Sequence, residues 1–203
     1  LQSQINPHFL YNTLDCIRSI ALVGGIQEIA TISEAMSHIF RYSIKADDIV
    51  VAEQELKCVK AYMEIMQTRF PNKLTFEMDI DPEAARQTIP KMILQPIVEN
   101  AIIHGVSPKE EGGSIRIVVR QEEMRLHIVI GDDGIGMTEE ELQQLKSRLK
   151  TDDARHSGIG LGNVYRRITA MYADGNFEIY SKKNAGTVIF IDIPCREETG
   201  DMT

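Results

Sequence analysis

The sequence predicts an α+β protein in which a helical front is followed by an α/β sandwich built on a mixed sheet. Apolar residues recur at spacings of three and four up to about residue 70, the period of a helix face. Beyond residue 71, alternating runs such as Leu74 to Ile80 are bounded by Gly- and Asn-bearing turns, the pattern of strands. Helical patterns persist between those strands, so helices should cover one face of the sheet.

In chain order, Ile5, Phe9, Ile17, Ile20 and Ala21 form a stripe ending at Gly24-Gly25, the expected turn. Ile29, Ile32, Met36, Ile39, Phe40 and Ile44 form a second stripe. The two apolar faces are broader than one hairpin can bury, which predicts a four-helix dimer. Pro7 has no N–H to give to a helix interior; the first helix therefore kinks at Asn6-Pro7 or starts there with Asn6 as cap. A third helix, Glu53 to Phe70, carries Leu56, Val59, Met63 and Met66 on one face and ends at Pro71-Asn72-Lys73, a linker. The chain divides there into a helical region, 1–70, and an α/β domain, 71–203.

Within the second region, Leu74 to Ile80 alternates as a strand and Lys91 to His104 reads as a buried helix. Ser114 to Val119 and Leu126 to Ile130 form a hairpin turning at Glu123. Phe177 to Ser181 and Thr187 to Ile193 form another, turning at Asn184-Ala185-Gly186. Residues 196–203 are polar and expected to fray.

Three motifs in this order describe an ATP site: Glu99-Asn100-Ala101-Ile102-Ile103-His104-Gly105, Asp132-Asp133-Gly134-Ile135-Gly136 and Ser157-Gly158-Ile159-Gly160-Leu161-Gly162-Asn163. Asn100 offers a neutral oxygen to a Mg2+ ion that keeps most of its waters and is shared with phosphates. Asp132 stands at a strand end, and its carboxylate only accepts hydrogen bonds; it suits the adenine amine and mismatches the guanine oxygen. Gly134 and Gly136 let the main chain approach a flat base. Gly158, Gly160 and Gly162 precede the helical pattern Leu161, Val164, Ile168, Met171 and Tyr172, whose N–H groups attract phosphate oxygens. Thr138 to His156, polar apart from Leu142, Leu145 and Leu149, reads as a short helix and a lid. His104 shares a face with Asn100 and either reaches the phosphates or caps its own helix. Glu99 points elsewhere and is a candidate to polarise the metal shell. Arg167 meets phosphate or pairs with an acidic neighbour, the second being the commoner arrangement.

P-loop, dinucleotide-fingerprint and protein-kinase signatures are missing. The ordered set instead resembles the GHKL superfamily of gyrase-type, chaperone, histidine-kinase and mismatch-repair ATPases, whose Bergerat-type fold is such a sandwich. The Asn100 helix resembles its N box, Asp132 to Gly136 its G1 box, Gly158 to Gly162 its G2 box, and Thr187 the threonine beside the adenine-binding Asp. The superfamily usually has Asn where this chain has Asp133.

The opening stretch, Gln4-Ile5-Asn6-Pro7-His8-Phe9-Leu10-Tyr11-Asn12-Thr13-Leu14, resembles the phosphoacceptor box of LytS/YesM-type sensor histidine kinases. Arg41-Tyr42-Ser43, Glu53 to Leu56, Tyr62-Met63-Glu64, Arg69-Phe70 and Ile89-Pro90 through Gln95-Pro96 match as well. The resemblance spans residues 2 to 195. It implies autophosphorylation on His8, transfer to an Asp of a response regulator, and homodimerisation through the helices. Neutral imidazole is nucleophilic near pH 7, and Asn12, one turn along the same face, would hold the ring or orient a water. Phe9 stands where many related kinases put an acidic base, so the base is not identified. For transfer, the α/β domain would swing about Phe70-Pro71-Asn72. A clamp ATPase of the same superfamily and a degenerate nucleotide-binding dimerisation module are the alternatives; the first needs no nucleophilic His on a separate hairpin, and the second would usually have lost Asn100 or the glycines.

The 203 residues are 43% hydrophobic with a net charge of −8, which argues against a nucleic-acid groove. Cys16, Cys58 and Cys195 are scattered and indicate neither a disulfide framework nor zinc, so a reducing cytoplasm fits. No run approaches a membrane span. Leu1 falls inside what should be a continuing helix, so the sequence reads as a carboxy-terminal portion. The resemblance implies a parent anchored in the cell membrane through segments upstream, with this portion on the cytoplasmic side.

Overall fold

A computed structural model describes residues 7–44, 47–151 and 159–195. The helical front is a hairpin of α1 (Pro7–Val23) and α2 (Gln27–Ile44). Its turn is built as expected: Gly25 has φ +70°, and Ile26 N–H reaches back to Ala21 O at 2.9 Å, a left-handed glycine cap. Pro7 opens the described part of α1, while Asn6, its expected cap, lies outside the described residues. Leu14, Ala21, Ala30 and Ala35 are buried between the helices, yet Phe9, Ile20 and Val23 are 66%, 67% and 92% exposed.

Strand β1 (Ile49–Val51) leads into α3 (Ala52–Arg69) and pairs antiparallel with β3 (Thr88–Pro90). Leu56, Val59, Met63 and Met66 of α3 are buried as their spacing predicts. They share one core with Ile93, Leu94 and Ile97, so α3 is packed into the nucleotide-motif half of the chain as well as against α2. A swing about residues 70–72 would tear that core, and one between α2 and β1 would undo the packing of Tyr42 and Ile39 on it.

The main sheet has the order β2-β4-β5-β7-β6, formed by Leu74–Ile80, Gly113–Glu122, Arg125–Asp132, Gly186–Pro194 and Asn176–Lys182. β2 runs parallel to β4 and the other pairs are antiparallel, which makes the expected mixed sheet. Alternate residues, among them Ile115, Ile117, Leu126, Ile128, Ile130, Ile189 and Ile191, are buried in the core shared with the helices. A short helix, α4 (Pro82–Arg86), is capped by Asp81, whose carboxylate accepts the Glu83 N–H at 3.1 Å.

The helix expected at Lys91 to His104 begins later, as α5 (Leu94–Asn100), and continues through a wider π turn, Ala101–Val106. Its start is set by Glu55, whose carboxylate accepts the N–H groups of Ile93 and Leu94 at 3.1 and 3.0 Å. A carboxylate at a helix N-terminus satisfies donors that have no partner within the helix. α6 (Glu139–Lys150) starts in a capping box of Thr138 and Glu141, and α7 (Ile159–Met171) completes the helical layer.

Candidate nucleotide site

α5, its π extension, β5, β7, α6 and α7 enclose a cavity of about 340 Å³, the size of a small-ligand pocket. Asn100, His104, Asp132, Gly136, Leu161, Gly162 and Thr187, all expected at the site, line it. The remaining wall is largely apolar, with Ile97, Ile130, Met137, Leu145, Leu149 and Ile189. A flat aromatic base fits such a wall, and one polar edge then decides which base.

Asp132 is the carboxylate among the cavity's lining residues. Its Oδ1 accepts the Gly134 N–H at 2.8 Å, and β-pairing sets it directly across from Thr187. Burial pushes the carboxyl up to about 6, although hydrogen bonds from Gly134 and the main chain of Thr187 pull the other way. Gly105 leaves room for the carboxylate: a Cβ there would lie 2.5 Å from Asp132 Oδ1. Gly134 in turn backs onto Gly105, its imagined Cβ falling 2.2 Å from the Gly105 carbonyl carbon. Gly136 has φ +58°, a conformation that disfavours side chains. Gly105 was not anticipated; a glycine inside a helical pattern is the signal that marks it.

Asp133 turns away to accept the Ser114 N–H at 2.7 Å and the Ser114 hydroxyl at 2.8 Å. Burial opposes its ionisation, but the Ser114 bonds outweigh it and hold the carboxyl below its usual range. An acidic residue at this position therefore anchors the start of β4 and leaves Asp132 in place.

At the other end, Asn100 Nδ2 donates to Pro96 O at 2.6 Å, which leaves Oδ1 as the acceptor. Gly160 lies in the first turn of α7 with room for a Cβ only 3.2 Å from Pro96 Cβ and 3.6 Å from Asn100 Nδ2. Gly160 and Gly162 thus lie inside α7 instead of preceding it, and Gly158 lies outside the described residues. Among the described residues no group of three His, Cys, Asp or Glu side chains could hold a metal ion. Asn100 suits Mg2+ as a single oxygen donor, the other positions being filled by phosphates and water.

Glu99 faces α3: it accepts Gln95 Nε2 at 2.8 Å, and its charge raises the Tyr62 phenol, second to burial. The described lining of the cavity includes neither Glu99 nor His8. Among the described residues Arg167 neither lines the cavity nor forms an ion pair; its guanidinium donates to Lys91 O. The polar stretch after Thr138 supplies α6, whose Leu145 and Leu149 form a cavity wall; residues 152–156 of the expected lid lie outside the described residues.

On α1, His8 is exposed, and its Nδ1 is 3.2 Å from the Asn12 amide nitrogen. Amide orientation and imidazole tautomer are interchangeable at such a contact. As placed, the Asn12 NH2 donates to Nδ1 and Nε2 carries the ring proton; the flipped amide, with Oδ1 accepting an Nδ1 proton, is the arrangement that leaves the lone pair on Nε2.

Residues 1–74 match the histidine kinase family model, and residues 85–197 match that of histidine kinase-, DNA gyrase B- and HSP90-like ATPases. The sensor histidine kinase YesM of Bacillus subtilis is 38% identical over 200 residues, covering 98% of this chain and 33% of the relative. The sensor protein kinase HptS of Staphylococcus aureus is 32% identical over 206 residues, covering 100% of this chain and 39% of the relative. The chain thus spans between a third and two-fifths of the length of these relatives. Among solved structures, the histidine kinase domain of the Erythrobacter litoralis EL346 blue-light-activated kinase has a TM-score of 0.55 at 16% identity, covering 93% of this chain and 94% of that one. The catalytic domain of the histidine kinase ThkA also gives 0.55, at 18% identity over 72% of this chain and 94% of that one. At such identity these two show the shared fold. By the match over residues 85–197, and with the boxes that carry it, the chain belongs to the histidine kinase-, DNA gyrase B- and HSP90-like ATPases.

Proposed function

We propose that this chain is an ATP-dependent protein-histidine kinase core that phosphorylates its own His8 and passes the phosphoryl group to an Asp of a response regulator. The observation that carries the reading is an exposed His8–Asn12 pair on a hairpin beside a domain that holds a separate adenine-type cavity. His8 Nε2 attacks the γ-phosphorus, the bond to the bridging oxygen breaks, and ADP leaves with the electron pair. With the Asn12 amide turned so that its Oδ1 accepts the Nδ1 proton, the attacking nitrogen has its lone pair. His104, Leu161 and Gly162, which line the cavity, would take the phosphate end together with Gly160 in the first turn of α7 and Gly158. Magnesium held on Asn100 Oδ1 would neutralise phosphate charge. The exposed Phe9, Ile20 and Val23 support a homodimer through the helices. No described helix is long and apolar enough to cross a membrane; we place the chain on the cytoplasmic side of a membrane-anchored parent. Incubation with γ-labelled ATP and magnesium tests the reading: the label should be acid-labile and alkali-stable, and an acid-stable label would place it on a hydroxyl and refute the proposal.

If Asn100 holds magnesium shared with phosphates, Asn100→Ala weakens ATP by a larger factor than adenosine, which brings no phosphate. Titration of both ligands in magnesium checks this. Equal losses would point to disruption of α5.

Asp132 also gives a pH dependence. Its ionised form is the acceptor for the adenine amine, so adenosine affinity should fall about tenfold per pH unit below about 6. The sign for stability is opposite: the folded value lies above the unfolded one of about 4, so the empty domain loses stability as pH rises through that window. Adenosine is the proper probe, since it carries no titrating phosphate. A flat affinity between pH 5 and 7 would remove Asp132 from the base edge.

A further inference from the structure

Strand pairing sets Asp132 of β5 across from Thr187 of β7, and Thr187 across from Ser181 of β6. Residues two apart on a strand share a face, so this row continues the face of Ile130, Ile189 and Ile179, which line the cavity. Asp132 and Thr187 line it too, whereas the described lining does not include Ser181. Ser181 therefore stands behind Thr187.

Its hydroxyl is fully engaged there. Ser181 Oγ accepts the Met137 N–H at 2.9 Å, donates to Gly186 O at 2.9 Å and lies 2.9 Å from Thr187 Oγ1. A hydroxyl has one proton and two lone pairs. The Gly186 carbonyl only accepts, so the Ser181 proton goes to it, and the lone pair left on Ser181 calls for the proton of Thr187. Thr187 Oγ1 then keeps only lone pairs for the cavity. Its main-chain N–H is committed as well, to the Asp132 carboxyl.

The same hydroxyl fixes the two turns that meet at this end of the sheet. Met137 lines the cavity, and its bond to Ser181, with the Asn184 N–H on Ile135 O at 2.6 Å, staples the segment after Gly134 to the β6–β7 hairpin. Gly186 has φ +88° and packs on Asp132 O with no room for a Cβ. The carbonyl that orients the Ser181 proton is thus itself held against the main chain of Asp132.

We infer that Ser181 is a positioning residue that fixes the hydrogen-bond polarity of Thr187, making it a second acceptor beside Asp132 for the 6-amino group of the base. The inference rests on the adenine reading of the cavity. An amino group brings two N–H donors, one for each acceptor. Without the Ser181 hydroxyl, the Thr187 proton is released and can turn toward the cavity, where it opposes an N–H instead of receiving it.

Ser181→Ala tests this with adenosine and with purine riboside, the same nucleoside lacking the 6-amino group, each titrated calorimetrically into the whole chain. The preference for adenosine should fall about fivefold, the factor that one neutral hydrogen bond supplies. A merely structural role would weaken both nucleosides equally, and an unchanged preference in the folded variant overturns the proposal. Thr187→Val, with Ser181 intact, should lower the preference by a similar factor, and it decides the matter if Ser181→Ala does not fold: no loss of preference there removes Thr187 as an acceptor. Adding Ser181→Ala to Thr187→Val should lower the preference no further, since residues acting through one contact are not additive; a further drop of the same size would mean that Ser181 does not act through Thr187. If the unaltered chain bound neither nucleoside, the adenine reading would fall and this role with it. A preference for adenosine that survives Ser181→Ala leaves that reading standing and overturns the role of Ser181 alone.

Discussion

Asp132→Asn is expected to abolish ATP binding in calorimetric titration while the chain stays folded. The carboxylate is wedged between Gly105 and the Gly134 N–H, which it accepts through Oδ1, and it also accepts from the main chain of Thr187; a remaining lone pair would take the amine of adenine. An amide in the same space has one acceptor for two donors. Whichever way it is turned, its NH2 faces either the Gly134 N–H or the adenine amine. Loss of a charge-assisted bond costs ~1.5–3 kcal/mol, and a buried donor left unsatisfied costs ~1–3 more. Together these give roughly a hundredfold loss or greater. The fold should tolerate the change, because burial already disfavours the ionised form and asparagine carries no charge to bury. Thermal unfolding at or above the unaltered midpoint, with no heat of ATP binding, is the expected pair of results. Unchanged affinity would take Asp132 out of the base edge. The same geometry sets a guanine oxygen against the carboxylate, acceptor to acceptor, so GTP should bind far more weakly than ATP.

What could be read without the fold was what depends on neighbours in the chain. Leu74 to Ile80 has a clean alternation and forms the strand over those residues. The hairpin turns at Glu123 and Asn184 are likewise local, each with a positive φ, 53° and 61°. β1 and β3 are three residues each, too short for a period to show. The late start of α5 is decided by Glu55, whose partners lie 37 to 39 residues ahead in the chain. Arg167 finds a carbonyl 76 residues away, which no local pattern announces. In the cavity, the polar residues and glycines stood out because their types are unusual in a core. Ile97, Ile130 and Ile189 did not, since an apolar wall around a base and an apolar wall around a neighbouring helix have the same composition. The place of α3 was hidden for a related reason: a stripe of Leu56, Val59, Met63 and Met66 says that a face is buried, and only the tertiary structure says against what.

His8→Gln is expected to eliminate acid-labile labelling and leave ATP affinity close to normal. Glutamine keeps the polarity and helix preference of an exposed position on α1, so the hairpin should persist. Its amide nitrogen has no nucleophilic lone pair, however, so no phosphoramidate forms. Affinity should be spared because the described cavity wall is made without His8. The nucleophile enters only when phosphorus is brought to ~3–3.5 Å of Nε2. That approach requires the hairpin to move relative to the nucleotide domain, which either undoes the packing of Tyr42 on the shared core or tears α3 out of it. Transfer chemistry and nucleotide binding therefore reside in bodies that the variant should separate cleanly: kcat for labelling falls to background while the dissociation constant for ATP changes less than about threefold, under ~0.7 kcal/mol. Persistence of the label would move the phosphoacceptor to another residue. Loss of label together with loss of binding would mean that His8 supports the fold or the pocket, and a nucleophile exposed on a separate hairpin has no route to either.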